Sequence, residues 1–225
     1  MRIGVIGCGW LGKPLGKYLS SEHQVSCFSR ENTPNVFWDN ELFIIAVSTK
    51  DNYLQSIKNF LSRINPKASI ILTSSTSVYK EFDKEVNEET KINQTGLQKE
   101  AEDLVLQNRD DVLILRLGGL MGEDRIAGKW KSISSFTDSP VNYIHQEDIL
   151  AIISKLINKK IRSGIYNLVA PQHPLRSEVH KKNSEDFGFK LGTFKEYSHR
   201  IVNGNKVIKT LDYEFIYPNP LKFWN

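Results

Sequence analysis

Three glycines near the start of the chain have the spacing of a turn that holds a phosphate group. Gly7, Gly9 and Gly12 belong to the segment Gly-Cys-Gly-Trp-Leu-Gly. The first suits a tight turn, the second lets a phosphate approach the backbone, and the third lets a helix pack closely on a strand. N–H groups at the start of that helix would then face the phosphates. The segment, with Trp10 and Leu11, is predicted to bind the pyrophosphate of a dinucleotide; the alternative is a glycine-rich turn without a ligand.

Ser29 and Arg30 follow the second predicted strand, where a site specific for NAD usually has an acidic residue for the ribose 2′-hydroxyl. A guanidinium next to a hydroxyl suits a 2′-phosphate by charge and by its forked geometry. We therefore expect NADP to be favoured over NAD as the cofactor. The alternative is that Arg30 is a solvated loop residue beside Glu31.

Alternating strands and helices would position these residues. The predicted strands are short apolar runs at residues 2–6, 24–28, 42–47, 69–72, 112–117 and 165–169. The predicted helices have apolar residues at helical spacing and span residues 11–19, 51–64, 97–107 and 146–157. Strands that alternate with helices through right-handed crossovers predict an α/β fold, a doubly wound parallel sheet of Rossmann type.

Two regions follow this alternation less well. Residues 31–41 are too polar for a complete helix, and the pattern allows only a short strand over residues 36–38. Beyond Pro171 the periodicity weakens and the chain ends in an aromatic tail. We expect a Rossmann core over residues 1–170, in which residues 118–135 contribute to a substrate lobe. Residues 171–225 would form a small C-terminal lobe packed on that core, effectively in one domain.

The composition is that of an ordinary globular protein, with 40% apolar and 25% charged residues and a formal charge of +4. No apolar run is long enough to cross a bilayer, and an apolar strand pattern follows Met1 too closely for a secretory signal. The positive charge is spread over separated lysines, without a nucleic-acid motif. We expect a cytoplasmic protein with a small-molecule substrate and neither a nucleic-acid nor a membrane partner.

The two cysteines, Cys8 and Cys27, would lie on neighbouring strands of the sheet. A chain of this size in a reducing compartment needs no disulfide. We therefore expect both to be packing thiols.

Five segments of the chain match a known family in their order. They are the glycine motif at residues 7–12, Thr-Ser-Ser-Thr-Ser-Val-Tyr at 73–79, Leu-Arg-Leu-Gly-Gly-Leu-Met-Gly at 115–122, Tyr-Ile-His-Gln-Glu-Asp-Ile at 143–149 and Gly-Ile-Tyr-Asn-Leu at 164–168. In these segments the chain resembles the extended short-chain dehydrogenase/reductases, especially the atypical members of the epimerase- and dehydratase-like branch. The resemblance implies a Rossmann fold that binds NAD(P).

The resemblance also implies roles for three side chains. In the family a serine at a strand end orients a substrate hydroxyl or carbonyl, and a tyrosine acts as general acid or base. A lysine four residues after the tyrosine holds the nicotinamide ribose and lowers the tyrosine pKa. Ser75 takes the serine position and Lys99 the lysine position, but the tyrosine position falls on Thr95. A threonine hydroxyl is far less acidic than a phenol and cannot serve as a base at neutral pH.

Three explanations of the missing phenol stay open. Tyr79 replaces it, Tyr143 reaches in from the loop before a helix, or no catalysis of this type occurs. Tyr79 is the better candidate of the two because it lies on the same segment as the serine; its alternative is a packing aromatic. The alternative for Lys99 is a solvated helix residue beside Glu100 and Glu102.

His145 is not predicted to be catalytic, because its His-x-x-Asp segment in the family is mainly a structural turn into a helix. The other histidines do not form a metal-ligand spacing with the cysteines, so no metal site is predicted. We expect an NAD(P)-dependent oxidoreductase or epimerase that acts on a hydroxyl or carbonyl of a small polar metabolite, such as a sugar derivative. The alternative is a non-catalytic NAD(P)-binding sensor or regulatory protein that has lost the family tyrosine.

Overall fold

The computed structural model describes residues 1–29, 33–49, 52–80, 82–92, 95–130 and 135–224. The chain divides into two units. The first, here called the sheet unit, comprises Met1–Val78, Ile92–Arg116 and Ile153–Tyr166. The second unit comprises Tyr79–Lys91, Leu117–Ile152 and Asn167–Asn225.

Strands and helices alternate through the first part of the chain. The strands are β1 (Arg2–Ile6), β2 (Gln24–Cys27), β3 (Leu42–Ile45), β4 (Ser69–Ser75), β5 (Glu85–Val86), β6 (Val112–Leu117), β7 (Gly119–Met121), β8 (Ser135–Asp138), β9 (Tyr143–His145), β10 (Gly164–Leu168), β11 (Thr193–Tyr197) and β12 (Ile201–Val202). The helices are α1 (Gly12–Leu19), α2 (Tyr53–Arg63), α3 (Leu97–Asn108), α4 (Gln146–Asn158), α5 (Arg176–Phe187) and α6 (Asn205–Leu211).

A six-stranded parallel sheet in the order β10-β6-β4-β3-β1-β2 is the centre of the fold. Every residue of β3 is buried, which is typical of a parallel strand covered on both faces. The buried residues of α2 are Tyr53, Ile57 and Leu61, four positions apart, so one stripe of this helix lies in the core. The predicted α/β doubly wound sheet is confirmed.

Residues 36–38 do not form the short strand that the sequence allowed. They lie in a 3₁₀ helix, Asn35–Asp39, in which the neighbouring side chains of Phe37 and Trp38 are both buried. A strand would send two consecutive side chains to opposite faces. The tight helical turn instead puts both rings into one aromatic cluster, where Phe37 lies 5.6 Å from Phe43 between ring centroids.

Cys8 and Cys27 form a disulfide, so the prediction of two packing thiols is wrong. Cys27 ends β2 and pairs in register with Val5 of β1, and Cys8 lies shortly beyond Val5 in the glycine turn. This register holds the two Cα atoms 6.1 Å apart, within the range that a disulfide spans. The disulfide fastens the glycine turn to the end of β2.

The second unit contains three two-stranded parallel sheets in the described ranges, β11 with β8, β12 with β5, and β7 with β9. Its apolar core includes Met121, Val141, Val179 and Phe223. Residues 171–225, in which the sequence pattern weakens, lie in this unit together with two earlier parts of the chain.

Asp148 anchors the C-terminal segment within the second unit. Its carboxylate is fully buried and accepts hydrogen bonds from the Tyr213 hydroxyl (2.7 Å) and from the backbone N–H groups of Ile216 (2.8 Å) and Tyr217 (3.1 Å). Burial raises the pKa of Asp148, and these three donors act in the opposite direction. Across the described residues, no helix is both long and apolar enough to cross a membrane.

Candidate functional site

In the glycine turn after β1, two of the three glycines have no room for a side chain and the third has room for one. Gly7 has φ +102°, and a Cβ there would lie 2.4 Å from the Ala46 carbonyl oxygen. A Cβ at Gly12 would lie 2.2 Å from the Gly7 carbonyl oxygen. A Cβ at Gly9 would meet no atom of the described residues within 4 Å, so none of them requires a glycine there. The open space at Gly9 fits a group that approaches the backbone from outside.

The turn leads directly into α1, and its geometry suits an anion. The Gly9 N–H donates to the Gly7 carbonyl (2.8 Å), and the Lys13 N–H donates to the Gly9 carbonyl (3.1 Å). The first turn of α1 has no acidic residue and no side-chain cap. The positive end of the helix dipole is therefore not neutralised by the helix's own residues. Leu11 is buried under the turn, while Trp10 is partly exposed.

Ser29 lies just beyond β2 and is hydrogen-bonded to Thr33. The Ser29 N–H donates to Thr33 Oγ1 (2.7 Å), and the Thr33 hydroxyl donates to the Ser29 carbonyl (2.5 Å). Ser29 is exposed. Arg30 and Glu31, on which the preference for NADP depends, lie outside the described residues.

Three consecutive hydroxyls end β4 and have different partners. Thr73 donates to the Ile45 carbonyl (3.2 Å), and Ser74 donates to Glu102 (2.6 Å). Ser75 Oγ accepts a hydrogen bond from the Ser77 N–H (3.1 Å). Ser75 is partly exposed at the last position of the strand. Because the Ser75 oxygen accepts this hydrogen bond, the Ser75 hydroxyl can still donate a hydrogen bond to another oxygen.

A buried ion pair fixes α3 against the sheet, and it was not predicted from the sequence. The Arg116 guanidinium donates from Nε to Glu102 Oε1 (3.0 Å) and from Nη2 to Oε2 (2.7 Å). The side chains of Arg116 and Glu102 are 3% and 1% exposed. Together with the bond from Ser74, this pair joins α3, β6 and the end of β4. The signal in the sequence was an arginine inside an otherwise apolar strand, where a charge needs a partner.

Lys99 lies in the first turn of α3 and pairs with Asp103 one turn further along the same helix. Its side chain is 26% exposed. Thr95 is exposed and precedes the helix, which begins at Leu97 after the cap residue Gly96. Thr95 therefore lies before the helix that carries Lys99, which begins at Leu97 as predicted.

Tyr79 belongs to the second unit and is completely buried. Its hydroxyl lies 3.0 Å from the Asn87 carbonyl oxygen and 3.2 Å from Asn167 Oδ1. These contacts fit the packing role that was the alternative for Tyr79.

Tyr143 and His180 form a buried pair in the second unit, with the Tyr143 hydroxyl 3.2 Å from His180 Nε2. Burial raises the pKa of Tyr143 and lowers the pKa of His180 to about 4, so both groups are neutral near pH 7. His145 is also buried and stacks on Tyr217 with ring centroids 3.8 Å apart. His180 was not among the site residues predicted from the sequence.

No family model matches the chain. The chain is similar to Protein YeeZ of Escherichia coli (strain K12), with 27% identity over an alignment of 272 residues. That alignment covers 98% of this chain and 97% of YeeZ.

Solved structures share the fold over nearly the whole chain. The UDP-glucuronic acid 4-epimerase from Bacillus cereus, in complex with NAD, has a TM-score of 0.78 at 14% identity and covers 100% of this chain and 97% of its own. The human epimerase family protein SDR39U1 (isoform 2), with NADPH, has a TM-score of 0.76 at 13% identity and covers 99% and 97%. The resemblance to the short-chain dehydrogenase/reductases is confirmed at the level of the fold.

Proposed function

We propose that the chain is an NAD(P)-dependent oxidoreductase or epimerase that acts on a hydroxyl or carbonyl of a small polar metabolite, such as a sugar derivative. The observation that carries the proposal is the turn between β1 and α1. Gly7 and Gly12 are required there by the protein's own backbone, but Gly9 leaves open space that no atom of the described residues occupies. A pyrophosphate at the helix N-terminus would use that space.

The residues of the turn fit a nicotinamide dinucleotide. The segment from Gly7 to Gly12 would hold the pyrophosphate, and Ser29 with Arg30 would hold the adenosine ribose. We propose NADP rather than NAD because a guanidinium pairs well with a 2′-phosphate. Both bound forms occur among the structures with this fold, as NAD in the Bacillus cereus epimerase and NADPH in the human protein.

The preference for NADP is tested by replacing Arg30. A charge-assisted contact to the 2′-phosphate contributes about 1.5 to 3 kcal/mol. Wild type should therefore bind NADPH more tightly than NADH in calorimetry, and Arg30→Ala should remove that difference. Equal affinities of the wild type for NADPH and NADH would show that Arg30 does not bind the 2′-phosphate.

Ser75 is the proposed group that orients the substrate oxygen. When bound, the cofactor supplies or accepts a hydride. Ser75 accepts from the Ser77 N–H, and its hydroxyl can still donate to a substrate oxygen. A hydrogen bond from Ser75 would stabilise negative charge on a carbonyl oxygen as the hydride is transferred.

Lys99 is the proposed contact to the nicotinamide ribose. Its ion pair with Asp103 holds the ammonium at the first turn of α3, and the buried pair of Glu102 and Arg116 holds that helix in place. Such an exposed pair contributes little stability and opens readily. The ammonium can then reach a ribose hydroxyl at a small cost.

Tyr79 is the candidate proton donor. Tyr79 could serve only after its hydroxyl leaves the Asn87 carbonyl and Asn167, and its ring has no exposed surface. Tyr79→Phe separates the two roles. Lost turnover with unchanged stability supports an acid, and lost stability alone supports packing.

The experiment that tests the enzymatic proposal compares two serines of the same segment. Reduction of a panel of small carbonyl compounds by NADPH is measured for wild type, Ser75→Ala and Ser77→Ala. Ser75→Ala should lower kcat about a hundredfold or more and leave NADPH affinity unchanged. Ser77→Ala is the matched control, because the Ser77 backbone N–H, which holds Ser75, is retained.

A non-catalytic sensor of NAD(P) is the second candidate. The position of the family's phenol is a threonine that precedes α3, and the hydroxyl of Tyr79 has partners inside the second unit. Tight NADPH binding without turnover of any carbonyl, in wild type and in Thr95→Tyr, would favour the sensor. Turnover that depends on Ser75 would exclude it.

A further inference from the structure

Two arginines of the second unit lie on segments that are hydrogen-bonded to adjacent residues: the Arg176 N–H donates to the Ser139 carbonyl (2.9 Å), and the Ser198 N–H, two residues before Arg200, donates to the Asp138 carbonyl (3.0 Å). Arg176 is the first residue of α5, and Arg200 immediately precedes β12. Desolvation and, after it, the positive charge of Arg176 lower the pKa of Arg200. In the ranges that the structure describes, neither guanidinium forms an ion pair with a carboxylate. Two like charges in a partly buried place repel each other, and an anion between them would remove that repulsion.

Two carboxylates that contact the sequence neighbours of these arginines have other donors. Asp138 accepts from the Ser177 N–H (3.0 Å) and from the Ser177 hydroxyl (2.8 Å). Asp83 accepts from the backbone N–H of His199, and this contact lowers its pKa. Both acidic side chains are thus held by neutral donors instead of by the guanidinium groups.

Backbone carbonyls position both guanidinium groups and use only part of their donors. Arg176 donates from Nη1 to the Thr137 carbonyl (2.6 Å), and Arg200 donates from Nη1 to the Tyr79 carbonyl (3.4 Å). The Nε of Arg200 is buried and has no partner among the described residues. Asn142 fixes the backbone here by donating to the Arg200 carbonyl (3.1 Å). A buried donor without a partner is costly, and a bound anion would satisfy it.

Arg176 also begins a chain of polar contacts that ends in a neutral histidine. It hydrogen-bonds to the Tyr143 hydroxyl, which lies 3.2 Å from His180 Nε2. Because burial lowers the pKa of His180 to about 4, its imidazole is neutral near pH 7. Three aromatic rings surround the imidazole at centroid distances of 4.8 to 5.7 Å: Phe136, Trp130 and Phe194. The positive charge of this cluster therefore comes from the arginine alone.

We propose that Arg176 and Arg200 form an anion-binding site in the second unit, which takes the carboxylate or phosphoryl group of a small metabolite. Each guanidinium presents parallel N–H groups that match the two oxygens of such an anion. The further assignment of this anion to the substrate rests on the proposed function, and it narrows the polar metabolite to an acidic one. The site itself does not depend on the cofactor.

The site is tested by calorimetric titration of the purified full chain with inorganic phosphate and with citrate, in the absence of nicotinamide cofactor. Wild type should bind at least one of the two saturably, and the tighter one identifies a phosphoryl or a carboxylate group as the ligand. Arg200→Gln and Arg176→Gln should each weaken binding about tenfold. Arg162→Gln is the matched control, because Arg162 is a partly exposed arginine of the sheet unit that also donates to one carbonyl (3.4 Å).

Several results would overturn the site. The first is the absence of saturable binding by wild type, and the second is an equal loss in Arg162→Gln, which would indicate a general effect of charge. A third is phosphate binding that disappears in Gly9→Ala and persists in Arg200→Gln, since the phosphate would then lie at the glycine turn. If Arg200→Gln does not fold, Arg200→Lys keeps the charge without the fork and should still weaken binding.

Failure of this site and failure of the proposed function are separable. NADPH affinity should be unchanged in Arg200→Gln, because that residue belongs to the second unit. Anion binding without any NADPH binding would retain the site and reject the cofactor. NADPH binding without anion binding would retain the cofactor and reject the anion-binding site.

Discussion

The sheet unit presents its candidate site mainly through backbone, whereas the second unit presents side chains. In the sheet unit, Gly7 takes φ +102° and Gly9 leaves open space before α1. In the second unit, Arg176 and Arg200 come from distant segments and depend on carbonyls of Thr137 and Tyr79 for their positions. A backbone site follows from the local spacing of a few glycines. A side-chain site follows from contacts between residues far apart in the chain, and it is therefore more sensitive to single substitutions around it.

The largest expected effect is on the stability of the sheet unit, in which the buried pair of Glu102 and Arg116 fixes α3. Glu102→Ala would leave Arg116 charged, 3% exposed and without its partner. Removing one member of such a pair costs about 3 to 5 kcal/mol in the free energy of unfolding. Chemical denaturation measures the loss. Asp103→Ala, which breaks the exposed pair with Lys99 on the same helix, is the control and should cost less than about 1 kcal/mol.

A comparable loss in the two variants would mean that Glu102 contributes no more to the free energy of unfolding than a surface residue does. The positions of Lys99 and of the end of β4 would then not depend on the buried pair.

A smaller effect is expected at the disulfide that fastens the glycine turn to β2. Cys8 and Cys27 are 19 positions apart, and closing a loop of that size stabilises a protein by about 3 kcal/mol in the chain-entropy model. Cys27→Ser should therefore lower the Tm, and treatment of wild type with a thiol reductant should lower it to a similar value. An unchanged Tm after reduction of wild type would contradict a stabilising cross-link at the turn.

The third effect, which is confined to acidic pH, is a dependence of stability on pH that arises in the second unit. Burial lowers the pKa of His180 in the folded protein to about 4, from an ordinary value of 6.5. Between these two values the unfolded chain binds more protons, so the contribution of His180 to stability is complete above pH 6.5 and is lost as the pH falls towards 4. His180→Gln should reduce the slope of unfolding free energy against pH in this window. His145 and His173, whose pKa values are also lowered by burial, should contribute to the slope that remains.

An identical slope in wild type and His180→Gln would show that His180 titrates normally in the folded protein. The neutral contact with Tyr143 would then be wrong.

The sequence predicted the sheet because each strand has its own local signal. Apolar runs and helical spacing are properties of consecutive residues, so β1, β3 and β6 and the helices α1 to α4 could be located within a few positions. The α5 helix was missed because most of its residues are polar and only Val179, His180 and Asn183 are buried. Its place in the fold comes from contacts with distant segments, which no local pattern contains.

In the candidate site, too, the parts with a local sequence signal could be predicted, and the parts that depend on contacts between distant residues could not. The glycine turn has a fixed spacing and was located directly, and Ser75 was placed at a strand end. The disulfide, the Glu102 and Arg116 pair and the cluster around Arg176 each join residues far apart in the chain. Their pairing depends on strand register and side-chain direction, which residue types alone do not determine.

The central claim, that the glycine turn binds a nicotinamide dinucleotide, is tested most directly by calorimetric titration of NADPH into three proteins. Gly9→Ala places one methyl group in the open space of the turn, and Gly16→Ala places one on the same helix at ordinary contact distance (3.7 Å) from Val25. Neither methyl group meets a clash, so both variants should fold. Wild type and Gly16→Ala should bind NADPH with equal affinity, and Gly9→Ala should bind about tenfold more weakly or worse. Equal affinities in all three proteins, or no binding to wild type, would contradict the claim.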